Sequence, residues 1–191
     1  MNKTKYIQSR IKSNIVLKER IISNCITAIE STANILITTL RSGNKIFWAG
    51  NGGSAADAQH MSAELMGGLK NHDRKPFASI ALTTDTSFIT AWSNDTNYET
   101  IFSRQIEGLG KEDDTLIAIS TSGNSQNIIN AIKISKKMGL NVIGLTNKDG
   151  GEMLHLCNII IQVPSLDTQL VQEGHLMIEH IICELIESDL K

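Results

Sequence analysis

Five short apolar runs recur along this chain, and stretches with helical periodicity separate most of them. The runs are KIFWAG (45–50), FASIALT (77–83), TLIAIST (115–121), NVIGLTN (141–147) and NIIIQVP (158–164). Within each run the apolar residues are continuous rather than alternating, which is typical of strands buried on both faces of a parallel sheet. This order of elements predicts an α/β fold with a doubly wound, five-stranded parallel sheet and helices on both of its faces.

The predicted helices cover residues 54–69, 98–109, 125–138 and 168–186, with a short one near Glu152. Ahead of the first strand, apolar residues recur at helical spacing from Tyr6 to Leu40 and predict one or two long helices that end at Gly43. This segment, 1–43, offers more apolar surface than one sheet-covering helix needs, so we expect it to contact another subunit. Because the chain has only two prolines and no low-complexity segment, we expect one domain over 1–191, with 44–191 forming the sheet core and C-terminal helix.

Charge and cysteine content argue against several classes of protein. The net charge is −2, and no cluster of Lys and Arg marks a nucleic-acid surface. We interpret 73–75 (DRK) as a solvated loop and 136–137 (KK) as a solvated helix face.

Cys25, Cys157 and Cys183 are far apart and odd in number, so we expect buried thiols rather than disulfides. We find no signal-peptide pattern and no run of membrane-spanning length, and we expect a cytoplasmic protein without membrane contacts.

The first strand–helix junction, AGNGGSAAD (49–57), is rich in glycine. Glycines let backbone N–H groups approach a ligand, and a helix N-terminus favours an anion. Ser54 and Asp57 have the spacing of a capping box, so we interpret Asp57 as structural. The G-x-G-x-x-A pattern that begins at Gly50 also fits a loose dinucleotide fingerprint, but Asp85 lies too far along the chain to be its ribose-binding acid.

The second unusual junction, AISTSGNSQNII (118–129), carries four hydroxyl side chains around one glycine, at Ser120, Thr121, Ser122 and Ser125. A Ser/Thr-rich turn with a helix cap explains one or two of these hydroxyls but not four. Hydroxyls, backbone N–H groups and a helix N-terminus together bind a phosphate without any cation. Because there is no GK[ST] sequence, a sugar phosphate suits this junction better than a nucleotide.

Acid–base side chains recur at helical spacing in two of the predicted helices. His60 and Glu64 are one turn apart and lie on the same face. The last helix carries two polar stripes, Gln172 with His180 and His175 with Glu179. Spacing alone leaves the alternatives open, because His60 and Glu64 also fit an exposed ion pair and His180 also fits a structural histidine.

Several segments together identify a family. They are GNGGSAADAQHMSAEL (50–65), TTDTS (83–87), NDTNYETIFSRQIEGLG (94–110), ISTSGNS (119–125) and DTQLVQEGHLMIEHIICELIE (167–187). From about Gly43 to Glu187 the chain resembles the phosphoheptose isomerases, a group within the sugar isomerase (SIS) family. The resemblance implies a flavodoxin-like sheet, a homotetramer with sites at subunit interfaces, and isomerisation of D-sedoheptulose 7-phosphate to D-glycero-D-manno-heptose 7-phosphate through an enediol.

The resemblance also implies roles for individual residues. Glu64 and His180 match the catalytic pair. One zinc ion per subunit is implied by matches at His60, Glu64, Gln172 and His180. The positions that match substrate-binding residues are Asn51, Gly52, Gly53, Ser54, Glu64, Asn94, Asp95, Ser120, Thr121, Ser122, Ser125 and Gln172.

The chain departs from the family pattern at Gly68 and Leu170, where many relatives carry a basic residue. These departures affect the identity of the sugar more than the reaction, and Lys70 could replace one of the charges. A second hypothesis is a non-catalytic SIS protein that binds a sugar phosphate or a protein partner such as a replication initiator. Such a relative lacks the equivalents of Glu64 and His180, which this chain has. A nicotinamide-dependent oxidoreductase is a third and weaker hypothesis, because the ribose-binding acid is missing.

Overall fold

The computed structural model describes residues 1–190 and contains a five-stranded parallel sheet with the order β2-β1-β3-β4-β5. The strands are β1 (Ile46–Ala49), β2 (Ser79–Ala81), β3 (Thr115–Ile119), β4 (Asn141–Asn147) and β5 (Ile159–Val163). All five predicted strands are confirmed, and so is the doubly wound α/β fold. In the register, Trp48 of β1 lies opposite Ala81 of β2 and Ile117 of β3.

Helices connect these strands. They are α1 (Lys3–Arg41), α2 (Gly53–Gly67), α3 (Thr86–Asp95), α4 (Ile101–Leu109), α5 (Gln126–Lys137) and α6 (Thr168–Asp189), with 3-10 turns at Tyr98–Thr100 and Gly151–His155. Helix α3 was not predicted, because it buries no residue fully and therefore shows no core-facing pattern. The signal at its start is Asp85, whose carboxylate accepts a hydrogen bond from the Phe88 N–H at 2.9 Å.

Neighbouring residues of the central strands belong to different cores because strand side chains alternate between the two faces. On one face, Trp48 and Ile117 pack with apolar residues of α1, α2 and α6. On the other face, Phe47 and Leu116 pack with residues of α4 and α5. Since both faces are covered, β1 and β3 are buried at every position, as their continuous apolar runs predicted.

The N-terminal segment forms one continuous helix rather than two. Helix α1 packs against α6 and β5, and Arg10 forms an ion pair with Asp167 at the start of α6, with Nη1 and Oδ2 2.7 Å apart. Several of its apolar side chains are nevertheless more than half exposed, namely Tyr6, Ile7, Ile11, Ile15, Ile22 and Ile26. The helix therefore carries an apolar stripe that this chain does not cover itself.

The expectation that no run reaches membrane-spanning length is wrong by one measure. An 18-residue window of α1 has a mean hydropathy of 1.3, so the helix is long and apolar enough to cross a membrane by length and composition only. Core helices of soluble proteins pass the same test, and α1 packs on the sheet.

The prediction of free thiols is confirmed for all three cysteines. Cys25 and Cys183 are buried, and Cys157 is half-buried.

Candidate active site

Helices α2 and α6 bring three acid–base side chains together. His60 Nε2 lies 3.1 Å from Glu64 Oε1, and the ring of His180 meets that of His60 edge-on, with the centroids 4.9 Å apart. One nitrogen or carboxylate oxygen from each of these three residues lies within 4.8 Å of the others. Two nitrogens and one oxygen at this separation form a set that can hold a metal ion or exchange protons with a ligand.

The orientation of His180 is determined by its own helix. The Nδ1–H of His180 donates to the Leu176 carbonyl at 2.9 Å, which leaves Nε2 as the nitrogen available to a ligand. His60 is the most exposed of the three residues, whereas Glu64 and His180 are half-buried. The carboxylate of Glu64 therefore lies partly out of water, with an atom of each imidazole within 4.8 Å of it.

Gln172 lies two turns before His180 on α6 and reaches the start of α2. A Cβ added to Gly53 would lie 2.0 Å from Gln172 Nε2, so this glycine makes room for the amide. Gln172 thus contacts the glycine-rich junction, whereas His60 and Glu64 lie about two and three turns further along α2, roughly 10 and 16 Å by the helical rise. His180 lies about two turns beyond Gln172 on α6.

Two buried acids lie behind this group, and the capping-box interpretation of Asp57 is wrong. Helix α2 begins at Gly53, so its N-cap is Gly52, which has no side chain to cap with. Asp57 is instead buried, and burial raises its pKa, while the charges of His60 and His180 lower it. Burial also raises the pKa of Glu179 well above its ordinary value, and the charge of Asp57 adds to the shift. Neither oxygen of Glu179 has a hydrogen-bond partner within residues 1–190.

A third polar side chain, His175, lies one turn before Glu179 and is fully buried. Its Nε2–H donates to the Thr146 carbonyl of β4 at 3.1 Å. Burial lowers the pKa of His175 to about 4, with the Thr146 contact opposing the shift. The imidazole is therefore neutral at physiological pH. Burying a neutral ring whose Nδ1 lone pair has no donor costs less free energy than burying a charged ring.

The two helices that follow the unusual junctions begin without a side-chain cap. Among the described residues, α1, α3 and α6 are capped by Asn2, Asp85 and Asp167, whereas α2, α4 and α5 receive no side-chain hydrogen bond at their N-caps. The first N–H groups of α2 and α5 thus remain available to a ligand, which favours an anion at both positions.

The predicted phosphate loop is compact, and its hydroxyls lie together. Ser120 Oγ is 3.0 Å from Ser125 Oγ and 3.4 Å from Ser122 Oγ, and Thr121 is half-buried beside them. Gly123 has a positive φ of 69°, and a Cβ there would lie 2.1 Å from the Gly150 carbonyl oxygen. The loop therefore requires glycine at this position to pass the segment that follows β4.

The remaining predicted ligand residues have different surroundings. Asn51 lies two residues after the end of β1, where its side chain contacts Asn127 of α5 and Tyr98, and Ser54 is buried in the first turn of α2. Asn94 and Asp95 lie at the exposed C-terminal end of α3, where Asn94 Nδ2 donates to Asp95 Oδ1 at 2.8 Å. The structure therefore does not place this pair with the two histidines and Glu64.

The two positions at which the family resemblance predicted a basic residue have different surroundings. Gly68 has a φ of 104°, and a Cβ there would lie 2.5 Å from the Asn71 carbonyl oxygen, so an arginine cannot occupy it in this conformation. Leu170 packs against the core that includes α1. Lys70, the expected substitute for a missing charge, has its Nζ 2.9 Å from Glu184 Oε2.

The interpretation of 73–75 as a solvated loop is wrong for Arg74. Its side chain is only 5% exposed, its guanidinium stacks on the Phe77 ring, and its Nε lies 3.4 Å from Glu187 Oε1. Arg74 Nη2 also donates to the backbone carbonyl of Glu64 at 2.9 Å. An arginine three positions before an aromatic residue signals such stacking only weakly, and nothing local indicates the contact with α2.

The sequence analysis assigned no role in the site to Asn127, Tyr98 or Glu179. A signal existed for Glu179, because it shares a stripe with His175 on a helix that otherwise packs with apolar residues. No spacing rule connects Asn127 with Tyr98, since the two residues meet only through the tertiary fold.

Comparison with known proteins is consistent with this geometry. A family model for the SIS domain matches residues 11–147. The chain is 52% identical to the phosphoheptose isomerase of Aliarcobacter butzleri over 162 residues, covering 85% of each chain. It is 47% identical to the phosphoheptose isomerase of Sulfurimonas denitrificans over 188 residues, covering 97% of this chain and 96% of that protein.

A solved structure is similar over the whole fold. The structure of a phosphoheptose isomerase from Francisella tularensis superposes with a TM-score of 0.95 at 34% sequence identity, covering 98% of this chain and 100% of that one. The similarity therefore extends over the sheet, the long N-terminal helix and the helices that carry the candidate site.

Proposed function

The chain belongs to the phosphoheptose isomerases of the SIS domain family, and from that premise we propose that it converts D-sedoheptulose 7-phosphate to D-glycero-D-manno-heptose 7-phosphate in heptose biosynthesis. The enzyme is an intramolecular aldose–ketose isomerase. The observation that carries the proposal is the cluster of the half-buried Glu64 carboxylate with the imidazoles of His60 and His180, in a chain whose helices α2 and α5 begin without a side-chain cap.

The side chains of this group suit enediol chemistry. Glu64 takes a proton from C1 of the ketose and returns it to C2, which leaves an enediol between the two steps. The available Nε2 of His180 moves a proton between the oxygens on these carbons, so that the C2 carbonyl becomes a hydroxyl while the C1 hydroxyl becomes a carbonyl. Each such acid–base contribution is worth on the order of 10² to 10⁴ in rate.

The phosphate group fits the Ser120–Ser125 loop. The clustered hydroxyls and the free N–H groups at the start of α5 supply hydrogen-bond donors, and the helix dipole favours negative charge there. The glycine-rich start of α2 and Gln172 lie between this loop and Glu64, which suits the polyhydroxylated chain of the sugar.

A zinc ion fits His60, Glu64 and His180, because these offer two imidazole nitrogens and a carboxylate oxygen that small side-chain rotations would bring to bonding distance. Gln172 would become the fourth ligand if its side chain turned from Gly53 towards this group, and its neutral amide oxygen predicts modest affinity. Bound zinc would supply a Lewis acid that polarises the sugar carbonyl. Metal analysis of protein purified without chelator should find about one zinc per chain, and His60→Ala should lower that content. An absence of zinc with no response of the rate to added zinc would contradict this assignment.

The exposed apolar stripe of α1 supports a homotetramer in which α1 contributes to subunit contacts. Sites near such contacts would draw residues from more than one subunit, which would give Asn94 and Asp95 a neighbour that one chain does not supply. We further propose that the enzyme works in the cytoplasm.

The direct test is incubation of the purified chain with sedoheptulose 7-phosphate, with NMR detection of an aldose product. Appearance of the heptose 7-phosphate supports the isomerase. Binding of the sugar phosphate without any product would instead favour a non-catalytic SIS protein.

A further inference from the structure

Three side chains form a closed hydrogen-bonded cluster at the carboxyl end of β1. Asn51 Nδ2 donates to Asn127 Oδ1 at 2.8 Å, and Asn127 Nδ2 donates back to Asn51 Oδ1 at 2.8 Å. The hydroxyl of Tyr98 donates to the same Asn51 oxygen at 2.9 Å. Asn127 is buried with 3% exposure, so the reciprocal amide pair lies largely out of water.

The hydrogen bonds restrict what Asn51 can do. A primary amide has two acceptor lone pairs on oxygen and two donor hydrogens on nitrogen. Asn127 and Tyr98 occupy both lone pairs of Asn51 Oδ1, and Asn127 takes one of its two N–H groups. Within the described part of the chain, one amide N–H of Asn51 remains available, so Asn51 can donate to a ligand but cannot accept from one.

The cluster also joins the two loops to which we assign ligand binding. Asn51 directly precedes Gly52 and Gly53 at the start of α2, whereas Asn127 is the second residue of α5, next to the hydroxyl loop. The turn that carries Tyr98 is attached to α5 as well, because Asn130 Nδ2 donates to the Glu99 carbonyl at 3.0 Å. The spacing between the two helix starts therefore depends on this amide pair.

We propose that Asn127 is a positioning residue for the isomerase reaction, with Tyr98 as a second support. Together they hold Asn51 so that its free N–H donates to an oxygen of the sugar phosphate, and they set the distance between the phosphate loop and the start of α2. This inference rests on the proposed function. A displacement of about 1 Å at such a contact can cost about 10²-fold in rate, so a residue that touches no substrate can still matter.

A double-mutant cycle tests whether Asn127 acts through Asn51. The kcat/KM for sedoheptulose 7-phosphate is measured for the unsubstituted chain, Asn127→Ala, Asn51→Ala and the double variant. We expect Asn127→Ala to lower kcat/KM about 10-fold to 100-fold in the unsubstituted chain. In the Asn51→Ala background the same change should lower it by less than about twofold, because the group to be positioned is gone. Tyr98→Phe should follow the same pattern with a smaller loss of roughly threefold to tenfold.

Two further variants separate positioning from folding. Lys133→Ala is the matched control, because Lys133 is an exposed residue of the same helix about two turns after Asn127, and the kcat/KM of this variant should remain within about twofold of that of the unsubstituted chain. Asn127→Asp keeps the side-chain volume but cannot donate to Asn51 Oδ1, so it replaces Asn127→Ala in the cycle if that variant does not fold.

The outcomes distinguish the proposals. Losses that multiply in the double variant, or an Asn127 variant with unchanged kcat/KM, would overturn the positioning role. An unsubstituted chain that folds but does not isomerise the sugar phosphate would overturn the proposed function instead.

Discussion

Glu64 is the side chain on which the proposed proton transfer depends. Its side chain is 21% exposed, its Oε1 lies 3.1 Å from His60 Nε2, and a nitrogen of His180 lies within 4.8 Å of its carboxylate. We expect Glu64→Gln to keep the fold, because the amide has the same shape, and to lower kcat by roughly 10²-fold or more, because the base is gone. Steady-state kinetics measure this loss. The control is Glu107→Gln, which changes an exposed carboxylate of α4 and should leave kcat unchanged. Activity within about twofold would show that Glu64 is not the base.

His175 makes the stability of the protein depend on pH. Its pKa is about 4 in the fold, below the ordinary value of 6.5, so in acid the unfolded chain takes up a proton that the folded chain does not. This contribution to stability is complete above pH 6.5 and is lost as the pH falls towards 4. At about 1.36 kcal/mol for each unit of pKa shift, the loss is roughly 3 kcal/mol in total. Denaturant unfolding between pH 7 and pH 4 should show a shallower pH dependence for His175→Leu. Equal slopes for both proteins would contradict the pKa shift.

At the scale of an element, the phosphate loop and the start of α5 act together. The hydroxyls of Ser122 and Ser125 both lie within 3.4 Å of the Ser120 hydroxyl, at the start of a helix that no side chain caps. Ser122→Ala removes one exposed hydroxyl without disturbing the packing. Because a hydrogen bond to a charged group is worth about 1.5–3 kcal/mol, we expect KM for sedoheptulose 7-phosphate to rise about tenfold or more with little change in kcat.

The control for the loop is Ser13→Ala, which removes an exposed hydroxyl from α1 that bonds only to its own helix. Its KM should equal that of the unsubstituted chain. If Ser122→Ala and the corresponding change at Ser125 both leave KM unaltered, the loop does not hold the phosphate.

At the scale of the whole molecule, the open question is what covers the apolar stripe of α1. Ile22 and Ile26 are 67% and 55% exposed and lie one helical turn apart. Replacing both with lysine should dissociate the proposed tetramer, because charges would have to be buried at the contact, and activity should fall with the oligomer. Light scattering coupled to size-exclusion chromatography measures the mass. Ser23→Lys with Thr27→Lys adds the same charge at exposed polar positions of α1 and should leave the mass unaltered.

A tetramer that survives the Ile22 and Ile26 substitutions would place the subunit contact elsewhere. Dissociation with full activity would contradict sites that depend on a neighbouring subunit.

The sequence by itself determined the features that depend on local periodicity. The five strands follow from short continuous apolar runs, and the N-terminal helix and the one-turn spacing of His60 and Glu64 follow from the 3.6-residue repeat of a helix. Both patterns can be read without knowledge of neighbouring elements. The glycine-rich junction and the hydroxyl loop could also be found in the sequence, because in each of them a strand end, a turn and a helix start are consecutive in the chain.

Only the tertiary structure decided which polar side chains are buried and what they meet. Asp57 fits a capping box locally but lies under the histidines, Arg74 fits a solvated loop but stacks on Phe77 and contacts α2, and Asn127 meets Asn51 across 76 residues of sequence. The backbone at Gly68 likewise excludes the arginine that its relatives suggest. In each case the surroundings of the residue are decided by an element that is remote in sequence. The free energy of burying a polar group depends on its contact with that element and not on the helix or turn to which the residue belongs.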